Sequence, residues 1–148
     1  MRSRWTALVF VLVLAGLTPR NGSAQARPPQ TPPRRPASVG GLSQNFPNPM
    51  NPETWIPFTV GDYPACSESS RQYVVTLKIL NAITQVVAIP LVQKGGRPLN
   101  TLQLTCGQHT AYWDGYYMGR RQKAASGNYP YILQVDGQRW IRSPTVAK

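Results

Sequence analysis

Acid–base, nucleophilic and metal chemistry all need side chains that converge, and this chain offers few. His109 is its one histidine, and Glu53, Asp62, Glu68, Asp114 and Asp136 are its five acidic residues. A Ser–His–Asp arrangement needs a serine activated by its neighbours. Ser43, Ser67, Ser69, Ser70, Ser126 and Ser143 exist, but none lies in a nucleophile-elbow pattern. His109 alternates with Ala111 and Trp113, so it belongs to an apolar strand face, where an imidazole packs at the end of a core. The carboxylates form no glycosidase-like pair. Asp136 is taken up by a turn before Gly137, and Asp114 precedes Gly115, where its side chain can bond the next loop. Calcium needs several converging oxygens, yet the chain after Asp114-Gly115 runs Tyr116-Tyr117-Met118. No catalytic residue, cofactor site, metal site or small-molecule substrate is expected.

The remaining reactive groups are Cys66 and Cys106, which have one possible pairing. Their redox setting is read from the start of the chain. Residues 1–26 have the form of an export signal: Arg2 and Arg4, an apolar run of 13 residues from Trp5 to Leu17, and a small-residue cleavage site at Ala24-Gln25-Ala26. A membrane-spanning helix needs about 20 apolar residues, so no stable membrane anchor is expected after signal cleavage. Export leads to the periplasm, the cell surface or the extracellular space, where paired thiols oxidise. A Cys66–Cys106 disulfide is therefore expected. It closes a loop of about 40 residues, for a chain-entropy contribution of roughly 3–4 kcal/mol. If every apolar run were a full hairpin strand, parity would place the two cysteines at opposite ends of the domain. A bridge thus requires part of residues 93–105 to cross over, and Lys94-Gly-Gly-Arg-Pro98 suits a crossing loop.

Loss of Arg2, Arg4 and Arg20 with the signal lowers the Lys and Arg count from 16 to 13, against five acids, for a net charge of +8. Such a surface attracts anionic polymers, nucleic acid or lipopolysaccharide among them, so weak polyanion binding is one expectation. The charges are nonetheless scattered, apart from Arg120-Arg121-x-Lys123, and no basic patch interleaved with aromatics is visible. Residues 27–41 read RPPQTPPRRPASVGG, with five prolines and no apolar period, as an extended linker. Residues 42–148 then make one small domain.

Its elements are short and alternate with period two. Thr54–Val60 is apolar, aromatic and β-branched; Tyr73–Asn81 places Val75, Leu77 and Ile79 on one face. Gln85–Val92 is a Val/Ile run that Pro90 confines to an edge or ends early. Leu102–Thr105, His109–Asp114, Tyr129–Val135 and Gln138–Ile141 follow, the last two joined by the hairpin dipeptide Asp136-Gly137. No sustained helical period appears after residue 26. About seven short strands with Gly, Pro and Asn punctuation predict an all-β, antiparallel β-sandwich.

Three stretches carry a resemblance to a known family. They are Leu42-Ser-Gln-Asn45-Phe-Pro47-Asn48-Pro49-Met-Asn51-Pro52 with its following strand; Val75–Asn81 with Gln85–Ala88; and Gly107–Gly115 with Trp113-Asp114-Gly115, then Gly119-Arg120 and Ala125-Ser126-Gly127-Asn-Tyr129. In this order they resemble the immunoglobulin-like domain of the flagellar hook-capping protein (FlgD-like), to which the C-terminal sorting domains of bacterial type IX secretion cargo are similar. The resemblance implies an immunoglobulin-like sandwich without catalysis, serving as a structural or interaction module at the cell envelope or outside the cell. Its partner would be an unknown protein or envelope component. The alternative that it implies is a type IX-like sorting domain present as a minimal cargo.

The aromatics divide by position. Trp55, Phe58, Trp113, Tyr129 and Tyr131 read as core or near-core anchors. Tyr112 faces away from Trp113, while Tyr116, Tyr117 and Met118 sit in a loop beside Arg120 and Arg121. Tyr, Met and Arg are enriched at contact surfaces, so this loop is the candidate partner site; the alternative is a loop folded on its own domain. The proline–asparagine run is read as rigid scaffolding. Its prolines fix φ and extend the residues before them, its asparagines bond nearby backbone, and Phe46 and Met50 plug the end of the sandwich.

Overall fold

A computed structural model describes residues 38–119, 122–143 and 145–146. The expected signal peptide, most of the expected linker, Arg120 and Arg121 lie outside the described residues. Those described contain no helix long and apolar enough to cross a membrane. The fold is all-β and antiparallel. Strands β1 (Gly40–Leu42), β2 (Thr54–Val60), β5 (Leu91–Val92) and β7 (Gly107–Trp113) form one sheet in the order β1-β2-β7-β5. Strands β3 (Gln72–Leu80), β4 (Val86–Ala88), β6 (Leu102–Thr105), β9 (Tyr131–Val135) and β10 (Gln138–Arg142) form the second, in the order β10-β9-β3-β4, with β6 also on β3. The short strands β8 (Gly127–Asn128) and β11 (Thr145–Val146) pair separately.

Period-two alternation makes this core. In β2, Thr54, Ile56, Phe58 and Val60 point inward, and Val75, Leu77 and Ile79 of β3 meet them from the second sheet. Leu133, Val135 and Tyr131 of β9 complete the same cluster with Ala111 and Trp113 of β7. The expected Gln85–Val92 strand divides at Ile89-Pro90. Val86–Ala88 stays on β3, and Leu91–Val92 moves to β7 in the other sheet. Proline has no N–H for a ladder, so the chain changes sheets there. The chain crosses back through 93–101, and β6 takes the half of the β3 edge that β4 leaves open.

That crossing meets the requirement set by the cysteines. Cys66 lies in the β2–β3 connection and Cys106 between β6 and β7, both passages from one sheet to the other. They are bonded, with Cα atoms 5.5 Å apart. Gly61 leaves room for the bridge. Its φ is +74°, and a Cβ there would fall 2.8 Å from the Cys106 sulfur.

The fold also begins earlier than composition suggested. Gly40 and Gly41, placed above in the linker, pair with Val60 and Thr59 of β2, and Val39 packs on the core. The Val39 carbonyl accepts the Gly61 N–H at 2.8 Å. Small residues are required there, because a Cβ on Gly40 would lie 2.7 Å from the Thr59 carbonyl oxygen.

Candidate functional site

The proline–asparagine run is held by one hydrogen-bonded network. Ser43 N–H donates to the Pro57 carbonyl at 3.0 Å. In an antiparallel ladder Pro57 would return a bond to the Ser43 carbonyl, but proline has no N–H to give. The Tyr131 hydroxyl, from the opposite sheet, donates to that carbonyl at 2.9 Å instead. The same hydroxyl accepts the Asn45 N–H at 3.1 Å. Burial pushes the Tyr131 phenol above its ordinary range, which keeps it a donor. Asn45, itself buried, donates through Nδ2 to the Thr54 hydroxyl at 2.9 Å and to the Pro47 carbonyl at 3.0 Å. Thr54 lies within reach of the Phe46 and Pro47 carbonyls at 3.1 and 3.2 Å.

Pro47, Asn48, Pro49, Asn51 and Pro52 are exposed, and the bonds before Pro47, Pro49 and Pro52 are cis. Met50 is fully buried and fills the end of the core, as expected. Phe46 does not. It is 53% exposed, because its backbone pairs with Trp55 in both directions and turns the ring onto the outer face of β2. Trp55 is corrected with it: the ring is half-buried on that outer face, since the inward place beside it belongs to Thr54. Phe58, Trp113, Tyr129 and Tyr131 are core residues as predicted.

The Trp-Asp-Gly stretch reaches the same end of the domain. Trp113 Nε1 donates to the Tyr116 carbonyl at 2.9 Å, and Asp114 Oδ1 accepts the Tyr116 N–H at 3.1 Å. Gly115 follows with φ of +79°, pressed against Pro52. Ser126 and Gly127 are exposed, and Gly127 pairs with Val146.

The loop expected to bind a partner divides by exposure. Met118 is 58% exposed and Tyr116 38%, while its N–H groups are anchored. Tyr117 N–H donates to the Gln122 carbonyl, and Met118 N–H to the Val87 carbonyl of β4 at 2.7 Å. Tyr117 packs on the core, its hydroxyl 3.3 Å from that of Tyr129. For Tyr117 the loop folded on its own domain is therefore the arrangement found. Burial first, then the Tyr117 contact, pushes the Tyr129 phenol up to about 12. Beside the loop lies a small cavity of about 140 Å³ between Leu91, Tyr112, Trp113 and Met118.

A second surface was not picked out by sequence reasoning. Phe46, Trp55, Tyr112 and Leu91 are direct cross-strand neighbours on the outer face of the first sheet. The Phe46 and Trp55 rings are nearly parallel at 6.1 Å, and Trp55 meets Tyr112 at 5.5 Å. Glu53 accepts the Tyr112 hydroxyl and pairs with Lys94 at 3.2 Å. Those two contacts hold the Glu53 carboxyl below its usual range, Tyr112 contributing most. Alternation could have indicated this row: Trp55 and Tyr112 each lie one residue from a core position.

The groups with catalytic potential are otherwise occupied. His109 stacks on Phe58 at 5.5 Å and its Nε2 lies 3.0 Å from the Thr105 carbonyl. Asp62 accepts the Ser67 hydroxyl at 2.6 Å and is held below the carboxylate range by it. Asp136 accepts the Val74 N–H and Arg71, which also pairs with Glu68. Among the described residues no group of three or more His, Cys, Asp or Glu could hold a metal ion.

No protein-family model matches the chain, and no curated protein matches it. Among solved structures it is similar to the Pseudomonas fluorescens alkylpurine DNA glycosylase AlkC bound to DNA containing an abasic site analog, at 15% identity. The match covers 75% of this chain but 31% of that one, with a TM-score of 0.42, a likeness that carries no inference about function.

Proposed function

We propose that the chain is an exported, non-catalytic β-sandwich of the immunoglobulin-like, FlgD-like kind, a structural or interaction module at the cell envelope or outside the cell. One observation carries the reading: the side chains with chemical potential hold the fold together. His109 sits against Thr105 and Phe58, and Glu53, Asp62, Glu68, Asp114 and Asp136 each bond a neighbour. The resemblance is supported by the way its motifs meet, with Gly115 against Pro52, and Asn45 and Thr54 bonded to each other beside Tyr131. The disulfide supports an oxidising compartment. Among the described residues of that contact set, exposed Tyr116 and Met118 remain available to a partner.

Fractionation of producing cells with mass spectrometry of both termini tests this reading. A chain beginning near Arg27 in the exported fraction, with Cys66 and Cys106 oxidised, is the expected result. A chain that keeps residues 1–26 and reduced cysteines in the cytosol would overturn it. Removal of the last strand on export would instead establish the sorting-domain alternative. Polyanion binding would show as an affinity that falls steeply with salt.

A further inference from the structure

The outer face of the first sheet has the composition of a binding floor. Its aromatic row runs Phe46, Trp55, Tyr112. One row along, two residues down each strand and about 6.6–7 Å away, Thr110 and Gln93 come together, Gln93 N–H bonding the Thr110 carbonyl at 2.8 Å. The side chains of Thr110 and Gln93 make no hydrogen bond to the described residues, so their hydroxyl and amide are free for a ligand. Phe46, Trp55, Gln93, Lys94 and Thr110 line a depression of about 440 Å³, within the range of small-ligand sites.

The charges at this depression choose among ligands. Among the described residues Lys94 is the one cation lining it, and it is already committed: it pairs with Glu53 and lies 5.1 Å over the Tyr112 ring. The pair is neutral as a unit, so this floor offers no uncommitted cation to a phosphate backbone among the described residues. An aromatic face carries negative potential and accepts a flat array of polarised C–H groups. Neutral donors and acceptors in the next row then suit hydroxyls around the rim of such an array. A pyranose ring has that combination. We propose that this face is a saccharide-binding site, with Phe46 and Trp55 as the stacking platform and Thr110 and Gln93 as hydroxyl partners. The assignment deepens the interaction-module reading and rests on it for the setting in which glycans are met.

Calorimetry and tryptophan fluorescence on the folded, oxidised chain with cellohexaose, chitohexaose and xylohexaose at millimolar concentration test the site. At least one is expected to bind, with little salt dependence and a change in tryptophan emission. Phe46→Ala and Thr110→Val should each weaken that binding about tenfold. Phe46 is exposed and Thr110→Val keeps the side-chain shape, so unchanged circular dichroism would certify the fold of both variants. Binding of none of the three sugars, or binding that both variants retain, would overturn the proposal. So would salt-sensitive binding of a single-stranded oligonucleotide that Phe46→Ala abolishes, since that assigns the platform to base stacking. Any of these failures leaves the fractionation result, and hence the export reading, untouched.

Discussion

A Cβ on Gly115 would stand 2.2 Å from the carbonyl oxygen of Pro52 and 3.5 Å from the Met50 side chain. The two motif stretches, some sixty positions apart, are thereby fitted to each other without space for one methyl group. Gly115 also needs its φ of +79°, which an L side chain resists. Gly115→Ala should cost about 3 kcal/mol or more, read by urea unfolding. A loss below about 0.5 kcal/mol would mean that the two stretches part easily.

Tyr131 supplies the hydrogen that Pro57 lacks. Tyr131→Phe keeps the ring but strands the Ser43 carbonyl and the Asn45 N–H. The expected loss is about 1–3 kcal/mol. Asn45→Ala and Thr54→Val break the adjoining bonds, and their combination should cost less than the sum, because they share a partner. Strict additivity in that double-mutant cycle would show that no shared network exists.

Removal of the bridge by Cys66→Ala with Cys106→Ala should lower stability by about 4 kcal/mol, as the sequence separation of 40 requires. The measurement is the denaturant midpoint beside that of the oxidised parent. The second variant, Gly61→Ala, should destabilise the oxidised parent more than the cysteine-free chain, because its Cβ meets the Cys106 sulfur.

Stability should fall at both pH extremes for separate reasons. Glu53 and Asp62 have lowered pKa values in the folded chain, so their contribution is present above the ordinary carboxylate range, about 4, and is lost as pH falls below it. Tyr129 is raised to about 12, so its contribution is complete below about 10 and disappears as pH rises toward 12. Phenolate absorbance should show Tyr129 resisting ionisation, with Tyr112 and Tyr131 also raised by burial, and Tyr117→Phe should lower the Tyr129 pKa. A titration that leaves every tyrosine near 10 would contradict the arrangement.

Exposure separates the loop positions. Met118→Ala should change stability by less than about 0.5 kcal/mol, whereas Tyr117→Ala should cost about 2–3 kcal/mol through lost packing on Tyr129. Equal effects in thermal melts would mean that the two side chains are not distinguished as described.

Period-two patterning and β-branched runs revealed β2, β3, β7 and β9, because each has an apolar face, and the Asp136-Gly137 turn signalled β10. Phe46, read as a plug from its place in the proline–asparagine run, is turned outward by its backbone pairing with Trp55, and for Trp55 itself the reason is local. Thr54 takes an inward place because its hydroxyl serves Asn45, which reverses the hydrophobic contrast that the pattern relies on. Splitting of the Gln85–Val92 run was signalled by Pro90, but where the second half would pair depends on contacts far along the chain. The disulfide could be read from a count of two cysteines in a chain whose first residues have the form of an export signal. Alternation indicates that Trp55 and Tyr112 face outward, but their meeting with Phe46 in one row could not be read, since cross-strand neighbours appear only once register is known.

Sheet order has a further consequence for crowding. Among the described strands of the two large sheets each open margin is short or cationic: β1 has three residues and two glycines, β5 has two, β4 has three, β6 has four, and β10 has five with Arg139 and Arg142. A foreign strand laid along any of them would find little ladder to extend or would meet positive charge. Recruitment by strand addition is thereby discouraged, and so is fibrillar self-association at high local concentration. Whatever docks on this module must be gripped by a face or a loop.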